Sequence, residues 1–368
     1  MQTRQRVHLI AAARPNFMKI APLYHALMKE PWCDPQIVHT GQHYDPNMSD
    51  AFFRDLRMPA PHHHLGIGSG SHAEQTGGVM IAYEKVCKSA ESCPRWIIVV
   101  GDVNSTAACA LVGAKLGIPV IHLEAGLRSR DRRMPEEINR LVTDAISDVM
   151  WTPSPDADEN LLREGVSPER IERIGNIMID SYEMVREQID ADGSRASLGL
   201  TSGAYGVVTL HRPSNVDDRT ILATLVDQLK AVATRLPLLF ALHPRTRKRL
   251  EEFGLAAQLK DPNIRITDPL GYIQFMNVVS SARLVITDSG GVQEETTYLG
   301  IPCFTLREST ERPITVTQGS NRMVGPAGLL ALVIEQLERK SRIGSVPDLW
   351  DGRAAERAAA FLRKRALG

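Results

Sequence analysis

Thr287-Asp288-Ser289-Gly290-Gly291-Val292-Gln293-Glu294-Glu295 combines residue types that suit a nucleotide diphosphate. The run Arg283-Leu284-Val285-Ile286 before it reads as a buried strand, and the residues after it read as a helix ending at Gly300. A Ser-Gly-Gly turn between strand and helix exposes backbone N–H groups, and the helix dipole adds partial positive charge there. Ser289, Gly290 and Gly291 therefore read as a phosphate seat. One turn further on, a carboxylate of the Glu294-Glu295 pair can accept hydrogen bonds from a ribose. A Gly-Gly pair alone would mark only a tight turn that needs glycine's backbone freedom. The strand before it and the paired glutamates after it favour the nucleotide.

Other chemistry-bearing residues also follow apolar runs directly. Arg14, in Ala13-Arg14-Pro15-Asn16, offers a guanidinium that can bind two phosphate oxygens in a fork. Lys19 sits in the following helix and is as readily a solvated cation as a ligand. Asp102, in Gly101-Asp102-Val103-Asn104-Ser105, is a general base or a polar turn residue, with Ser105 the expected N-cap of the next helix. Glu124, in His122-Leu123-Glu124-Ala125-Gly126-Leu127-Arg128, is the stronger acid/base candidate. The structural alternative for Glu124 is a buried ion pair with Arg128. In Met134-Pro135-Glu136-Glu137-Ile138-Asn139-Arg140, spacing alone favours a helix start, with Glu136 and Arg140 as an i,i+4 pair. His211, beside Arg212 at a strand end, can exchange a proton near neutral pH or donate to a phosphate. His243 and Arg245 repeat that theme after the next strand.

The rest of the chain narrows the chemistry. His62, His63 and His64 are adjacent, without metal-ligand spacing, and read as a loop. Gly66-Ile67-Gly68-Ser69-Gly70-Ser71 follows no strand and misses the third glycine of the dinucleotide fingerprint. There is no P-loop, GxSxG elbow or HExxH motif, so neither a covalent nucleophile nor a metal cage is expected. The five cysteines are scattered and lack a CxxC pair, which suits reduced thiols in a cytoplasmic protein. Formal net charge is zero, which gives no electrostatic case for nucleic acid or an anionic membrane. No apolar run approaches a membrane span, and Met1–Arg6 leads into Val7 without a signal-peptide core.

These residues need a scaffold that presents strand ends together. The chain has 368 residues, 43% hydrophobic and 23% charged, which suggests an ordinary globular protein of two domains. Apolar runs at 7–13, 36–39, 96–100, 120–123, 149–152, 206–210, 238–242, 264–267, 284–287 and 302–306 read as strands. Amphipathic segments at 18–29, 105–116, 136–147, 220–235 and 272–281 alternate with them. That alternation implies an α/β chain of two doubly wound, Rossmann-like parallel sheets with right-handed crossovers. The second sheet is expected to begin after 190–205, within domains of 1–175 and 176–351. The last amphipathic helix, in 352–368, is free to pack on either domain, including the first. Ligands of such sheets bind beyond the carboxyl ends of the strands, so the two domains are expected to face one another across a cleft.

Taken together, ARPNFMK, TGQHYD, GDVNST, HLEAGLRS, MPEEINR, GNIMID, TLHRPSN, HPRTR and TDSGGVQEE occur in this order along the chain. Over nearly its whole length the chain closely resembles the non-hydrolysing UDP-N-acetylglucosamine 2-epimerases. The resemblance implies the glycosyltransferase-B architecture, a homodimer, a UDP-sugar as the small-molecule partner and no cofactor. It also implies that Arg14, Ser289 and Gly290 bind the diphosphate, that Glu295 holds the ribose, and that Arg312 belongs to the substrate-binding set. His211 matches the family's active-site histidine, and Asp102, Glu124 and Glu136 match its proposed acid/base carboxylates. For Glu136 this overrides the structural reading drawn from spacing. The uracil is placed near Leu270-Gly271-Tyr272 and Phe275.

The implied chemistry suits this equipment. Loss of UDP from C1 makes the otherwise non-acidic C2 proton removable, giving UDP and 2-acetamidoglucal, and re-addition gives the C2 epimer. Cations and N–H groups stabilise the leaving group while a carboxylate takes the proton. Domain closure would exclude water. Many bacterial members carry a regulatory second UDP-GlcNAc site after a Gln-His motif. Here Gln42-His43 is followed by Tyr44-Asp45, which argues against activation by substrate. The segments TGQHYDPNMSD and MPEEINR also resemble relatives that epimerise UDP-diacetamido-uronic acids. Three alternatives stay open: that sugar class, a hydrolysing 2-epimerase releasing ManNAc and UDP, and a glycosyltransferase on the same architecture. A sugar-nucleotide sensor is disfavoured by the strand-end carboxylates.

Overall fold

The computed structural model of the chain describes residues 4–41, 55–339 and 344–367. The chain divides into two compact units, residues 1–185 with 348–368, and residues 186–347. In the first unit, β1 (Gln5–Ala11), β2 (Cys33–His39), β3 (His63–His64), β4 (Trp96–Val100), β5 (Val120–Leu123), β6 (Val149–Thr152) and β7 (Ile171–Arg173) form one sheet. Their order is β3-β2-β1-β4-β5-β6-β7, and every pairing is parallel. The central strands are short apolar runs buried on both faces, such as Trp96-Ile97-Ile98-Val99-Val100. Helices covering both faces produce this pattern.

In the second unit, β8 (Gly206–Thr209), β9 (Leu238–Ala241), β10 (Ile264–Thr267), β11 (Leu284–Thr287), β12 (Cys303–Thr305) and β13 (Asn321–Met323) run parallel in the order β10-β9-β8-β11-β12-β13. Leu222, Leu225, Val226 and Leu229 of the helix Arg219–Ala233 pack on Val208, Phe240 and Ile286 of the sheet. Each sheet reverses its winding once, between β1 and β4 and between β8 and β11. At such a switch point the loops after the two strands diverge and leave room for a ligand. The doubly wound α/β class expected from the sequence is the one observed.

The details differ in several places. β3, β7 and β13 are absent from the expected strands, and residues expected as a loop, His63 and His64, pair as β3 with Val38 and His39. All three are two- or three-residue strands, too short for a periodic pattern. β1 ends at Ala11, two residues early, because Asn16 Oδ1 accepts from the N–H groups of Ala12 and Ala13. The unit boundary falls at 185/186 and not at 175/176. The helix Ile177–Met184 packs on the helix Arg14–Met28, and Ser181 Oγ donates to the Met18 carbonyl at 2.5 Å.

The C-terminal segment also belongs to the first unit. Trp350 Nε1 donates to the Pro153 carbonyl at 3.0 Å, and the helix Ala354–Leu367 lies against Arg14–Met28. Buried Asp180 accepts from the N–H groups of Ala354 and Ala355, capping that helix. Among the described residues no helix is long and apolar enough to cross a membrane.

Candidate active site

The switch point of the first sheet brings together the turns after β1, β4 and β5. Asn16, in the first turn of its helix, donates from Nδ2 to the Val100 carbonyl at the end of β4, tying the β1 and β4 turns together. Lys19, one turn later and 9% exposed, ion-pairs with Glu124, itself 4% exposed. The ion-pair partner of Glu124 is thus Lys19, and Arg128 instead pairs with Asp144 and Glu164. Glu124 has φ +71°, a left-handed backbone rarely adopted by residues other than glycine, and it is followed by Gly126 at φ +80°. A side chain on Gly126 would lie 2.4 Å from the Ala157 carbonyl oxygen, so the close approach requires glycine. Strained backbone of this kind persists only where its surroundings over-determine it.

Asp102 sits in the turn after β4. Arg140 Nη1 donates to its Oδ2 at 3.1 Å, and Asn139 Nδ2 donates to its backbone carbonyl at 2.9 Å. Both partners lie on the helix Pro135–Ile146. Glu136, in the first turn of that helix, is exposed and lies one turn before Asn139 and Arg140 on the same face. Arg140 ion-pairs with both Asp102 and Glu137, each at 3.1 Å, and on its own helix it is Glu137 and not the expected Glu136 that it meets. Glu137 wins because it also accepts from the backbone N–H groups of Ser129 and Arg130 and from the Ser129 hydroxyl. Ser105 does not cap its helix. Val103 holds the N-cap position, and Ser105 Oγ is hydrogen-bonded to Thr40 Oγ1 at 2.8 Å. The side chain of Arg14 and the Gln42-His43-Tyr44-Asp45 segment lie outside the described residues.

In the second unit the switch point joins the turn carrying His211 to the Ser-Gly-Gly turn. Asp288, fully buried, accepts from the backbone N–H groups of His211 and Arg212 and from Asn215 Nδ2. Its Oδ1 also lies 2.8 Å from His211 Nδ1. Burial pushes the Asp288 carboxyl up, but the bond to and charge of His211, with the other donors, hold it below its ordinary value. A carboxylate so placed fixes the ring orientation and tautomer of His211. Sequence reasoning missed Asp288, although it directly precedes Ser289. The His243 ring lies 5.6 Å from that of His211, and burial first, then His211, lowers its pKa. His243 accepts from the Arg245 N–H as an N-cap, and the Arg245 guanidinium is engaged by Asp217.

The helix Gly290–Leu299 starts at the expected turn and ends on Gly300 in the left-handed region. An added Cβ at Gly290 would sit 2.9 Å from Glu311 Oε1 and 3.2 Å from Arg312 Nη1, whereas one at Gly291 would meet nothing within 4 Å. Ser289 makes no side-chain cap, and its N–H donates to Thr287 Oγ1. Arg312 bridges Glu294 at 2.8 Å and Glu311 at 2.5 Å. Glu295 is 4% exposed, and burial first, then neighbouring Glu294, pushes its carboxyl up to about 8 against a hydrogen bond from Tyr272. That bond ties the Tyr272–Val279 helix start, with half-buried Leu270 and Phe275 beside it, to the glutamate pair.

The chain and its fold are similar to known proteins. Residues 25–363 match the family model described as UDP-N-acetylglucosamine 2-epimerase. The chain is 41% identical over 364 residues to a UDP-N-acetylglucosamine 2-epimerase of Methanocaldococcus jannaschii, covering 97% of this chain and 98% of that one. It is 36% identical to a UDP-2,3-diacetamido-2,3-dideoxy-D-glucuronate 2-epimerase of Pseudomonas aeruginosa, covering 98% and 99%. The crystal structure of the M. jannaschii UDP-GlcNAc 2-epimerase in complex with UDP-GlcNAc and UDP matches with a TM-score of 0.88 at 40% identity, over 98% of this chain and 100% of that one. The Neisseria meningitidis enzyme bound to UDP-GlcNAc matches at 0.88 and 25% identity, again over 98% and 100%.

Proposed function

The chain belongs to the UDP-N-acetylglucosamine 2-epimerase family, and from that premise we propose that it interconverts UDP-GlcNAc and UDP-ManNAc by loss and return of UDP. In the first half-reaction a carboxylate takes the C2 proton and the C2–H electron pair becomes the C1=C2 bond. The C1–O bond breaks and its electron pair leaves on the β-phosphate oxygen, giving 2-acetamidoglucal and UDP. In the second, that oxygen re-adds to C1 and a proton reaches C2 from the opposite face. Asp102, Glu124 and Glu136 are the groups assigned to this proton traffic. Arg14, Lys19, Ser289, Gly290, Gly291, Arg312 and His211 are assigned to the diphosphate and leaving group, with His243 and Arg245 beside them. Glu295 is assigned to the ribose, and Leu270 and Phe275 to the base. Cytoplasmic location and a homodimer complete the reading.

The observation that carries this proposal is the placement of the carboxylates at the switch point of one sheet and of the Ser-Gly-Gly turn at that of the other. Water exclusion is supported by the burial of Glu124, which keeps the base out of bulk solvent. The test is incubation of the purified protein with UDP-GlcNAc in deuterated water, followed by NMR of the sugar. UDP-ManNAc carrying deuterium at C2 is expected. Free ManNAc would replace this reading with a hydrolysing one, and no exchange with no product would end it for this sugar. A second reading, epimerisation of a UDP-diacetamido-uronic acid, is favoured by the match to the Pseudomonas relative, and the same assay on that sugar decides it.

A further inference from the structure

His122 lies in β5, two residues before Glu124, and has no solvent exposure. Its Nδ1 is 2.5 Å from Asp144 Oδ1, and its Nε2 is 2.8 Å from the Gly101 carbonyl oxygen. A carbonyl oxygen and an ionised carboxylate both only accept hydrogen bonds. Asp144 is ionised. Burial alone would push its carboxyl up, but the charges and hydrogen bonds of His122 and Arg128 hold it below the ordinary carboxylate range. Its second oxygen accepts from the Gly126 N–H at 3.1 Å and from Arg128 at 2.7 Å. The ring therefore bridges Asp144 of the helix Pro135–Ile146 to the backbone of the turn after β4.

We propose that buried His122, held at both ring nitrogens, works with Asp144 to fix the turns carrying Asp102 and Glu124 in position for the elimination. The proposal rests on the reaction argued above and adds two positioning residues to it. Gly101 has φ +67°, and a Cβ there would lie 3.5 Å from Glu124 Oε2 and 3.6 Å from Lys19 Nζ. The Gly101 peptide is therefore the floor under the Lys19–Glu124 pair, and His122 pins that floor from below. Asp144 reaches both flanks of Glu124, through His122 to Gly101 and directly to the Gly126 N–H. Glu124 takes up a left-handed backbone that is unfavourable for an L-residue, and these paired anchors over-determine it. The charged groups packed around His122 are Asp144 and Arg128. Glu164 closes the outer side of Arg128, and Asp102, Lys19 and Glu124 lie across Gly101.

Two readouts in the full chain test this on His122→Gln, with Asp144→Asn as a second variant should the first not fold. The first is amide hydrogen exchange at Gly126, whose N–H is held by Asp144. Exchange about 10-fold faster than in wild type is expected, with amides of the second unit unchanged as the check of folding. Unchanged protection at Gly126 overturns the proposal without reference to activity. The second is kinetic, after wild-type turnover has been shown. Misplacement of the acid/base groups should lower kcat by about 100-fold, with KM and UDP affinity within about 3-fold of wild type. Unchanged kcat, or UDP affinity falling in step with kcat, overturns the positioning role. A wild-type protein without turnover contradicts the reaction itself and leaves the exchange result to decide the positioning role.

Discussion

Glu124 in the first unit and Glu295 in the second are equally buried glutamates near the switch point of a sheet, yet their surroundings differ in kind. Glu124 is paired with Lys19, and its neighbours repeat the pattern: Asp144 with His122 and Arg128, Glu137 with Arg140. Glu295 is bonded to Tyr272 and lies beside Glu294, while Arg312 goes to Glu294 and Glu311. Burial therefore pushes Glu295 up to about 8. The first unit holds these carboxylates ion-paired and fixed, which suits groups that must be positioned for proton transfer. In the second, the proposed ribose anchor is a carboxyl whose pKa burial raises. Under the proposed reaction, a compensated site and an uncompensated one divide chemistry from retention of the nucleotide.

The contrast can be broken most severely by removing the charge of Glu124. Glu124→Gln should lower kcat by about 1000-fold in steady-state assays, the scale of a lost general base. A loss below about 10-fold would return the base role to Asp102 or Glu136.

The two units should also respond to pH in opposite directions. Burial, then other charges nearby, lowers His8 to about 3 and His39 to about 4, and His62 and His63 are lowered as well. The unfolded chain binds those protons first, so this stability is fully present above about 6.5 and is lost as pH falls towards 4. Asp180, pushed up to about 6 by burial, and Asp156, also raised by burial, work in the opposite sense but are two groups against four. All four tryptophans (Trp32, Trp96, Trp151 and Trp350) lie in the first unit, so their fluorescence reports its unfolding. The tryptophan melting temperature should fall by on the order of 10 °C between pH 6.5 and 4. A melting temperature flat across that range would count against the neutral histidine cluster.

Glu295 carries the reverse linkage. Its folded pKa is raised, so its contribution is present below about 4.5 and is lost as pH rises through about 8. Glu295→Gln removes that loss, and its melting temperature relative to wild type should climb by about 5 °C between pH 5 and 9. A constant offset would show that the carboxyl ionises freely. The smallest effect separates the two glycines. Gly290→Ala forces a methyl against Glu311 and Arg312 and should cost about 1–3 kcal/mol. Gly291→Ala, with open space around its Cβ, should leave stability unchanged and weaken UDP binding by only about 10-fold in calorimetry. Equal destabilisation by both would remove the distinction between packing and ligand approach.

What could be read from the sequence was the layout of polar residues directly after buried apolar runs. Asp102, Glu124, His211 and Ser289 all follow strands because a run such as Val-Ile-His-Leu has only one way to sit in a parallel sheet. Which side chains meet was hidden. The Lys19–Glu124 pair spans 105 positions and depends on the register of β1, β4 and β5, which no local pattern encodes. Glu136 had the better helical spacing to Arg140, but Glu137 took the ion pair because a loop folded back onto it. Asp288 and Asp144 passed unnoticed because an acid inside a strand turn or on a helix has many ordinary explanations. The short strands β3, β7 and β13 depend on neighbours already in place.

The division of labour is tested most directly by measuring UDP affinity and C2 deuterium exchange side by side in Glu124→Gln and Glu295→Ala. Glu124→Gln should bind UDP as wild type does and lose exchange. Glu295→Ala should bind UDP more weakly and still exchange at saturating substrate. Matching losses of UDP affinity in the two variants, or exchange surviving in Glu124→Gln, would contradict it.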